Sequence, residues 1–566
     1  MKSFFVFLFL FSSITFGSSD EIWNRPDWSR DVFVNRGENR ENIYQLSDEK
    51  FKEFVKSGKL HALVYPVDVS GIFIPYNPMT RFMDDPEKIL NYLSMKGLAM
   101  PQIKGPWSWD TVDEFYQWIG LHPYPEQDEV QIFEIPFPGN KRPNYRMGAT
   151  VFTDEKGVKK FTFSCATCHS QTMFGKEILG LTNKRPRANE VFVTAAKYMP
   201  WVHPWIFRLF TGANSLEAKE YARGRKNLKS VGVKTPLTLG LDTSLAQVGL
   251  SLSKRNLDPY ATKSEYFEKN PRRNDLEKNP ADSKPAVWWN LKYKTRWLSD
   301  GSIVSGNPIF TNFLWNEIGR GTDLKELERW LKSNKQTVME LTASVFATKS
   351  PHWTDFFEPK TISIEKAREG EKIFKQTCQK CHGQYVKNWD DSTLSHQEQL
   401  KTKTVIYHKK TPVKNVGTDP YRWQGMQYFA GRLNDLSISK WMKTVVEPQE
   451  GYVPPPLVGV WMRYPYFHNG SVPNLCSLFM APKLRPRVFW QGPANNPDVD
   501  FTKECVGYPI GDDIPRSWKK NSEIKVDTTR KGLSAGGHYK MFLTKEGKEK
   551  YSWEQKLQLI EFLKTL

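Results

Sequence analysis

The chain has 566 residues, of which 39% are hydrophobic and 14% aromatic. This bulky apolar content excludes a disordered chain and a coiled coil. The mean hydropathy of −0.58 excludes a polytopic membrane protein. The length exceeds one ordinary hydrophobic core and predicts roughly two to four domains. The 36 Gly and 37 Pro residues indicate long loops between short elements.

The N-terminus has the features of a secretory signal peptide over residues 1–18. Lys2 precedes an apolar run at 4–11, and small residues follow it. The run is too short to span a bilayer, so we expect a periplasmic or secreted protein with no stable membrane span after signal removal. An N-terminal anchor helix is the alternative. The formal net charge of +19 is expected to lie on solvated surface or to face anionic cofactor groups, an envelope surface or an acidic redox partner. Nucleic acid is not an expected partner of an exported protein.

Two short stretches carry the same cysteine motif. Residues 165–169 and 378–382 both have the spacing Cys-x-x-Cys-His, which is typical of c-type haem attachment. On one helical turn, residues i, i+3 and i+4 share a face, so both thiols reach the haem vinyl groups while the histidine lies under the iron. A thioredoxin-like motif or half of a zinc site does not explain the histidine twice. We predict two covalently bound haem c groups, held by Cys165, Cys168, His169, Cys378, Cys381 and His382.

The segments before the two motifs differ from each other. Residues 150–153 and 158–163 flank a turn at Gly157, which predicts a β-hairpin before the first motif. Residues 364–377 predict an amphipathic helix that runs into the second motif. The buried stripe of this helix is predicted to contain Ile364, Ala367 and Phe374.

A similar stretch follows each motif. Residues 285–302 and 454–471 align without a gap, so that Pro285 meets Pro454 and both stretches end in Gly-Ser. Such internal similarity predicts two related haem domains.

The two copies differ at a position that bears on iron ligation. His468 in the second copy corresponds to Ser299 in the first. An imidazole on a turn is suited to be the sixth ligand of the second iron, whereas serine is a poor ligand and leaves the first iron open. A turn-capping role is the alternative for His468. The rival sixth ligands are His396, His408 and Met426 at the second haem, and His203 or a methionine at the first. The other histidines, expected to be ordinary surface or core residues, are His61, His122, His352 and His538.

The C-terminal region carries two further signals. Cys476 and Cys505 have no histidine at ligand spacing, which predicts a disulfide in an exported chain. Two free buried thiols are the alternative. A capping box at Ser552 and Gln555 begins a closing helix that is expected to dock onto the body. Its docking face is predicted to contain Trp553, Leu557, Ile560 and Leu563.

With these pieces in order, the chain resembles the diheme c-type peroxidase superfamily, and most closely its rubber-oxygenase-like branch. The resemblance covers roughly residues 145–566, whereas residues 20–140 match nothing in the family. It rests on the two haem motifs and on segments at 285–301, 416–422, 456–471 and 563–566. The predicted fold is mainly α with small β-hairpins and extensive loops, with two cytochrome c-like haem domains in tandem.

In that family the N-terminal haem binds the oxidant and the C-terminal haem is ligated by two side chains. The resemblance implies that His169 and His382 are the proximal ligands and that His468 is the distal ligand of the second haem. It also implies that Trp289 is the aromatic residue between the haems that supports electron exchange. A core aromatic beside Trp288 is the alternative for this residue.

Departures from the family bear on the substrate. Rubber oxygenases line the open haem with Phe, whereas Ser299 and Val304 stand here, which counts against polyisoprene. Apolar residues remain available for a pocket, namely Ile303, Ile309, Phe310 and Phe313. Diheme peroxidases place a Glu after the Asp-Gly turn, and Glu317 stands in a comparable place as a general base; a surface Glu is the alternative. The long stretch between His169 and Pro285 favours the oxygenase-like branch.

The predicted function is an exported diheme oxidoreductase. Dioxygen or hydrogen peroxide binds the open first iron and the second haem passes electrons, with an apolar organic substrate or a small redox protein as partner. A diheme cytochrome c peroxidase and a non-catalytic electron-transfer cytochrome are the alternatives. The predicted catalytic residues are Trp289, Ser299 and Glu317, and a calcium ion between the domains is left open. The predicted segments are a signal peptide (1–18), an N-terminal wrapping region (19–145), a first haem domain (146–350), a second haem domain (351–480) and a C-terminal closing segment (481–566).

Overall fold

The computed structural model describes residues 19–84, 109, 111–126 and 133–566. The predicted signal peptide at 1–18 lies outside these residues. The α-helices described are α1 (Ser19–Asn24), α2 (Asp48–Leu63), α3 (Tyr76–Asp84), α4 (Val112–Ile119), α5 (Ala166–His169), α6 (Ala188–Tyr198), α7 (Pro204–Thr211), α8 (Ser215–Leu228), α9 (Ser244–Ser253), α10 (Glu265–Lys269), α11 (Pro308–Gly319), α12 (Leu324–Ser333), α13 (Lys335–Ala347), α14 (Ile364–Thr377), α15 (Gln379–His382), α16 (His396–Leu400), α17 (Tyr421–Gln424), α18 (Ala430–Asn434), α19 (Ser437–Trp441), α20 (Leu475–Leu478), α21 (Arg516–Lys519) and α22 (Trp553–Lys564).

The β-strands are short and pair only in small antiparallel sheets. They are β1 (Ile74–Pro75), β2 (Ala149–Thr153), β3 (Lys159–Phe163), β4 (Ser170–Met173), β5 (Lys176–Leu179), β6 (Ile303–Ser305), β7 (Gln384–Lys387), β8 (Thr402–Ile406), β9 (Val445–Val446), β10 (Val488–Trp490) and β11 (Lys525–Asp527). One sheet has the order β1-β3-β2, and the pairs β4-β5, β6-β9, β7-β8 and β10-β11 stand alone. The mainly α fold with small hairpins is therefore confirmed.

The hairpin predicted before the first motif is present. Strands β2 and β3 pair in register from Ala149 with Phe163 to Thr153 with Lys159. Gly157 has a φ of 77° in the connecting turn, a left-handed value that glycine adopts without steric cost. Strand β1, from the N-terminal region, adds a third strand at the β3 edge.

Two large hydrophobic cores lie in the described part of the chain, and each draws on distant segments. The first contains Phe54 and Leu63 from α2, together with Leu433 and Val446 from the predicted second haem domain. The second contains Met173 and Ile178 from the predicted first haem domain, and most of the buried residues of 481–566. The chain therefore crosses between the cores several times. The linear domain boundaries stay predictions.

The helix before the second motif is confirmed. Helix α14 buries Ala367 and Phe374 and half-buries Ile364. It packs closely on α22, because a Cβ at Gly370 would lie 2.0 Å from the Gln558 carbonyl oxygen. Only glycine allows this approach.

The docking of the C-terminal helix is confirmed, but one of its predicted contacts is wrong. The Ser552–Gln555 capping box is present. Ile560 and Leu563 are buried and Leu557 is half-buried, whereas Trp553 remains 43% exposed. Trp553 is the first residue of the helix, and its side chain faces solvent. The predicted disulfide is also confirmed, since Cys476 and Cys505 are bonded.

None of the helices described is long and apolar enough to cross a membrane.

Candidate cofactor-binding cavity

A single cavity of about 550 Å³ reaches both Cys-x-x-Cys-His motifs. Four cysteines and four histidines line it, namely Cys165, Cys168, Cys378, Cys381, His169, His382, His468 and His538. The four cysteines are free thiols. We call this space the central cavity.

Each motif forms one turn of helix, as its spacing predicts. The first cysteine stands at the N-cap, and α5 or α15 then ends at the histidine. The His169 N–H donates to the Cys165 carbonyl oxygen at 3.1 Å, and the His382 N–H donates to that of Cys378 at 3.0 Å. These bonds bring each histidine onto the face of its first cysteine.

Each motif histidine faces a carbonyl group from the repeat that follows, and the ring of His382 is hydrogen-bonded to it. Nδ1 of His382 lies 2.8 Å from the carbonyl oxygen of Pro455, which leaves Nε2 free to bind a metal. Ala286 is the equivalent residue of the first repeat, and its carbonyl group faces His169. The His169 Nδ1 makes no hydrogen bond by strict geometry. Burial lowers the pKa of each imidazole to about 4. Both rings are therefore neutral, the form that binds metals.

The two repeats fold into the same loop. Trp297 bridges Ile303 in the first, and the equivalent Tyr466 bridges Val472 in the second. The next residue has a left-handed φ in both copies, 69° at Leu298 and 67° at Phe467, and both Gly residues of the final Gly-Ser are also left-handed. The internal similarity seen in the sequence is thus a structural repeat.

The repeats are also hydrogen-bonded to each other in a reciprocal way. The Lys284 N–H donates to the His468 carbonyl oxygen at 2.7 Å, and the Val453 N–H donates to that of Ser299 at 2.8 Å. The two bonds join equivalent positions, as a local two-fold axis requires. The His468 loop therefore lies beside the start of the first repeat, and the Ser299 loop beside the start of the second.

Ser299 and His468 both point polar atoms into the cavity. Ser299 Oγ and His468 Nε2 are buried and have no hydrogen-bond partner among the described residues. The His468 ring stacks on Tyr452, with ring centres 3.8 Å apart. Burial, with smaller contributions from Arg422 and Lys284, holds the pKa of His468 well below its usual value. The surroundings of His468 are thus cationic.

His538, which the sequence did not single out, stands opposite His382. The two ring centres are 6.1 Å apart, and two nitrogens each about 2 Å from one metal put their ring centres roughly this far apart. His538 is half-buried, its Nδ1 is buried with no partner among the described residues, and its φ of 52° is left-handed. Strained residues of this kind concentrate at functional sites. The geometry therefore makes His538 a candidate partner of His382 across the second site.

The other rival ligands do not line the central cavity. His396 and His203 are exposed. Nε2 of His408 lies 2.9 Å from the Cys381 carbonyl oxygen, and Met426 is buried in the first core. Met541 is the one methionine in the lining.

Trp289, the predicted aromatic between the haems, does not line the cavity. It is buried in the second core, and its Nε1 donates to the Val458 carbonyl oxygen at 2.9 Å. Its neighbour Trp288 lines the cavity and lies against the His169 ring, with centres 5.5 Å apart. The alternative interpretation of Trp289 as a core residue agrees with this packing.

Glu317 also lies behind the cavity wall. The alternative of a surface residue is wrong, because the side chain is 0% exposed. Its carboxylate accepts hydrogen bonds from Tyr65 Oη, Ser70 Oγ, Gly71 N and Thr322 Oγ1. It also lies 3.5 Å from Arg320, which does line the cavity. These bonds occupy both carboxylate oxygens, so the geometry gives Glu317 no direct contact with a bound reactant.

The charge of the lining fits an anionic cofactor. The charged side chains in the wall are Lys284, Lys294, Arg320, Lys414, Arg422, Arg463 and a single carboxylate, Asp242. Burial lowers the pKa of Lys284 to about 7 and of Lys294 to about 8. Buried cations of this kind are stabilised by carboxylate partners, which the propionate groups of a haem supply. The residues present therefore fit haem c.

Apolar side chains form another part of the wall. Of the residues expected for an apolar pocket, Ile303, Ile309 and Phe313 line the cavity, whereas Phe310 does not. Leu341 and Val345 from α13 also reach it.

The described residues contain no group of three or more His, Cys, Asp or Glu side chains arranged to hold a metal ion.

Comparison with known proteins agrees with this site. Residues 451–491, which include the whole of the second repeat, match the family described as RoxA-like, cytochrome c-like. Uncharacterized protein y4iJ of Sinorhizobium fredii (strain NBRC 101917 / NGR234) is 26% identical over 223 residues, 31% of this chain and 34% of that protein. Uncharacterized protein y4iM of the same strain is 32% identical over 124 residues, 20% of this chain and 27% of that protein. The chain thus spans about a third or less of these relatives. The family match makes residues 451–491 similar to a RoxA-like cytochrome c domain, which implies bound haem c.

Proposed function

We propose that the chain is an exported diheme c-type cytochrome oxidoreductase whose two haems have unequal roles. Cys165, Cys168 and His169 hold the first haem, and Cys378, Cys381 and His382 hold the second. A haem iron with a free axial position binds dioxygen or peroxide, whereas one with two protein ligands exchanges electrons. The observation that carries the proposal is that one cavity reaches both motifs and that the imidazole of His538 faces His382, with ring centres 6.1 Å apart.

In this proposal His538 takes the role that the sequence suggested for His468. The backbone supports a fixed position for it, because the His538 N–H donates to the Val416 carbonyl oxygen at 2.9 Å. Gly537 packs so closely on Gly417 that a Cβ there would lie 2.3 Å from the Gly417 carbonyl carbon. These contacts fix the direction of the imidazole before a cofactor binds, which lowers the cost of ordering it.

His468 and Ser299 are proposed to contact the carboxylate groups of the haems instead of the irons. Both carry an unpartnered buried polar atom, and His468 lies among Arg422 and Lys284. A hydrogen bond to a carboxylate satisfies such an atom and offsets the cost of its burial. Lys284, Lys294 and Arg463 supply the remaining positive charge.

The apolar wall supports an apolar organic substrate at the first haem. Ile303, Ile309 and Phe313 exclude water from that part of the cavity, and such pockets bind apolar ligands through the area they bury. Trp288 closes the same site beside His169. The peroxidase alternative has weaker support, since Glu317, its proposed general base, is enclosed by its own hydrogen bonds.

Glu317 is proposed to position Arg320 instead. Arg320 Nη2 donates to the Phe163 carbonyl oxygen at 2.9 Å, and its charge acts on the nearby Cys165. A Glu317→Gln variant removes one negative charge behind Arg320. It is expected to raise the reduction potential of the first haem and to leave the pH profile of turnover unchanged. A general base would instead change that profile.

Spectroscopy of the purified, haem-loaded protein tests the proposal. Electron paramagnetic resonance of the oxidised protein is expected to give one high-spin and one low-spin ferric signal of equal intensity. After reduction, one haem of the two is expected to bind CO. Two low-spin signals with no CO binding would support the electron-carrier alternative and contradict the open first haem.

Substrate assays separate the two enzymatic alternatives. Dioxygen consumption with small alkenes and polyisoprene is compared with hydrogen peroxide turnover in the presence of a reduced small cytochrome as electron donor. The oxygenase-like proposal expects the first activity to exceed the second. Fractionation of cells that express the full chain, with a cytoplasmic marker as control, tests the proposed periplasmic or secreted location.

A further inference from the structure

A ridge of large apolar side chains is exposed on α7 and the turn before it. Trp201, Trp205 and Leu209 are 62%, 60% and 67% exposed. They follow each other at intervals of four residues, so that Trp205 and Leu209 lie on one face of the helix. The neighbouring residues Ile206 and Phe207 are buried on the other side. We call these three exposed residues the aromatic ridge.

The ridge stands on a rigid support. Phe207 stacks face to face on Tyr221 of α8, with ring centres 4.0 Å apart. The Tyr221 hydroxyl donates to the Val202 carbonyl oxygen at 3.0 Å, and Arg225 Nε donates to that of Met199 at 3.2 Å. The backbone under Trp201 is therefore tied to α8, and exposure of the ridge does not come from a loose loop.

The surroundings of the ridge are basic. Exposed cations from 190–229 without an ion pair in the described structure are Lys197, Arg208, Lys219, Lys226 and Lys229. The acidic residues of this stretch, Glu190, Glu217 and Glu220, are each ion-paired with Arg or Lys and at most a quarter exposed. Arg208 lies between Trp205 and Leu209 in the sequence. The exposed part of the stretch thus combines tryptophan, leucine and uncompensated positive charge.

We propose that the aromatic ridge docks the protein on an anionic lipid surface. Tryptophan and leucine enter the boundary between headgroups and acyl chains, while lysine and arginine remain with the anionic headgroups. A second copy of this chain is disfavoured, because like charges around the two ridges repel. A neutral hydrocarbon is also disfavoured as the partner, because it has no negative charge for the lysine and arginine side chains around the ridge. The net charge of +19 adds long-range attraction to the same surface.

Co-sedimentation of the haem-loaded full chain with vesicles tests the proposal. The protein is expected to pellet with phosphatidylcholine vesicles containing phosphatidylglycerol, and not with pure phosphatidylcholine. A Trp201→Gln, Trp205→Gln double variant is expected to bind about tenfold more weakly. A Lys197→Gln, Arg208→Gln double variant is expected to lose about fivefold per removed charge at low salt, and less at high salt.

A matched variant controls for the general loss of exposed apolar area. Leu484 and Trp553 are 65% and 43% exposed on the part of the chain that forms the second core. A Leu484→Gln, Trp553→Gln variant is expected to bind as the unchanged protein does, and unchanged haem absorbance in all variants reports intact folding. Equal vesicle binding by the ridge variant and this control would overturn the proposal. The proposal would also be overturned if the protein bound neutral hydrocarbon emulsions as strongly as anionic vesicles, which would favour an apolar polymer as the partner. Loss of a dimer in the ridge variant would overturn it in favour of a second copy of this chain.

Discussion

The two repeats of this protein share a backbone but differ in how their turns are anchored. In the first, Asp300 bonds to Ser302 and forms a buried ion pair with Arg422 at 3.1 Å. In the second, the equivalent Asn469 bonds to Ser471 and donates to the Gly532 and Ser534 carbonyl oxygens at 3.2 and 3.1 Å. The second turn is therefore tied to the C-terminal segment that also carries His538.

This difference shows how one scaffold supports two unlike sites. Each repeat presents a carbonyl group, Ala286 or Pro455, to its own motif histidine, so the proximal sides are alike. In the proposed arrangement, a histidine from outside the repeat, His538, completes the distal side of the second site. The asymmetry proposed for the two haems thus comes from the segment that follows the repeats.

The largest expected effect comes from removing one attachment motif. Cys378→Ser combined with Cys381→Ser is expected to reduce covalent haem from two per chain to one, because thioethers need both sulfurs. Mass spectrometry and pyridine haemochrome absorbance measure the count. Cys476→Ser breaks a disulfide and is the matched control, with two haems retained. An unchanged count in the motif variant would contradict haem attachment at the second site.

Removal of His538 is expected to change the spin state of one haem. His538→Ala takes away the imidazole opposite His382, so the low-spin ferric signal is expected to become high-spin and CO is expected to bind both haems. His468→Ala is the matched comparison and is expected to retain the low-spin signal. Loss of that signal in His468→Ala, with no change in His538→Ala, would restore His468 as the sixth ligand.

Much of the local structure could be predicted from the sequence. Patterns within short stretches of chain predicted the two motifs, the hairpin before the first motif and α14. The Cys476–Cys505 disulfide could be predicted because the other four cysteines belong to the motifs. The expectation of covalently bound haem c follows from the two Cys-x-x-Cys-His motifs alone.

The proposed distal ligand could not be predicted in the same way. His538 approaches His382 only through the packing of 481–566 on the second core, and no spacing rule marks it. Trp288 and Trp289 are adjacent in a 3₁₀ turn, and the backbone alone decides which of them meets the cavity. Glu317 is enclosed by Tyr65 and Ser70 from the N-terminal region, whose position no family pattern supplied.

The anchoring of the first turn can be tested by making it resemble the second. Asp300→Asn preserves the acceptor for Ser302 but leaves Arg422 buried without its counter-ion, at a cost of about 3–5 kcal/mol. The free energy of unfolding in urea measures the loss, monitored near the haem bands. Arg422→Met in the Asp300→Asn background removes the unpaired charge and is expected to recover part of the stability. No loss in Asp300→Asn would show that solvent or a cofactor carboxylate already balances Arg422.

The smallest expected effect concerns the equivalent positions Ser299 and His468. It tests directly whether these positions contact the cofactor carboxylates or the iron. Ser299→His places an imidazole in the first repeat where the second has His468. If this position contacts cofactor carboxylates, the first haem is expected to remain high-spin and to bind CO, with at most a modest shift in its reduction potential. If the position is a ligand position, the added imidazole is expected to close the first iron, give two low-spin signals and abolish CO binding. The reciprocal variant His468→Ser separates the two outcomes further, because it tests the same position without adding a ligand.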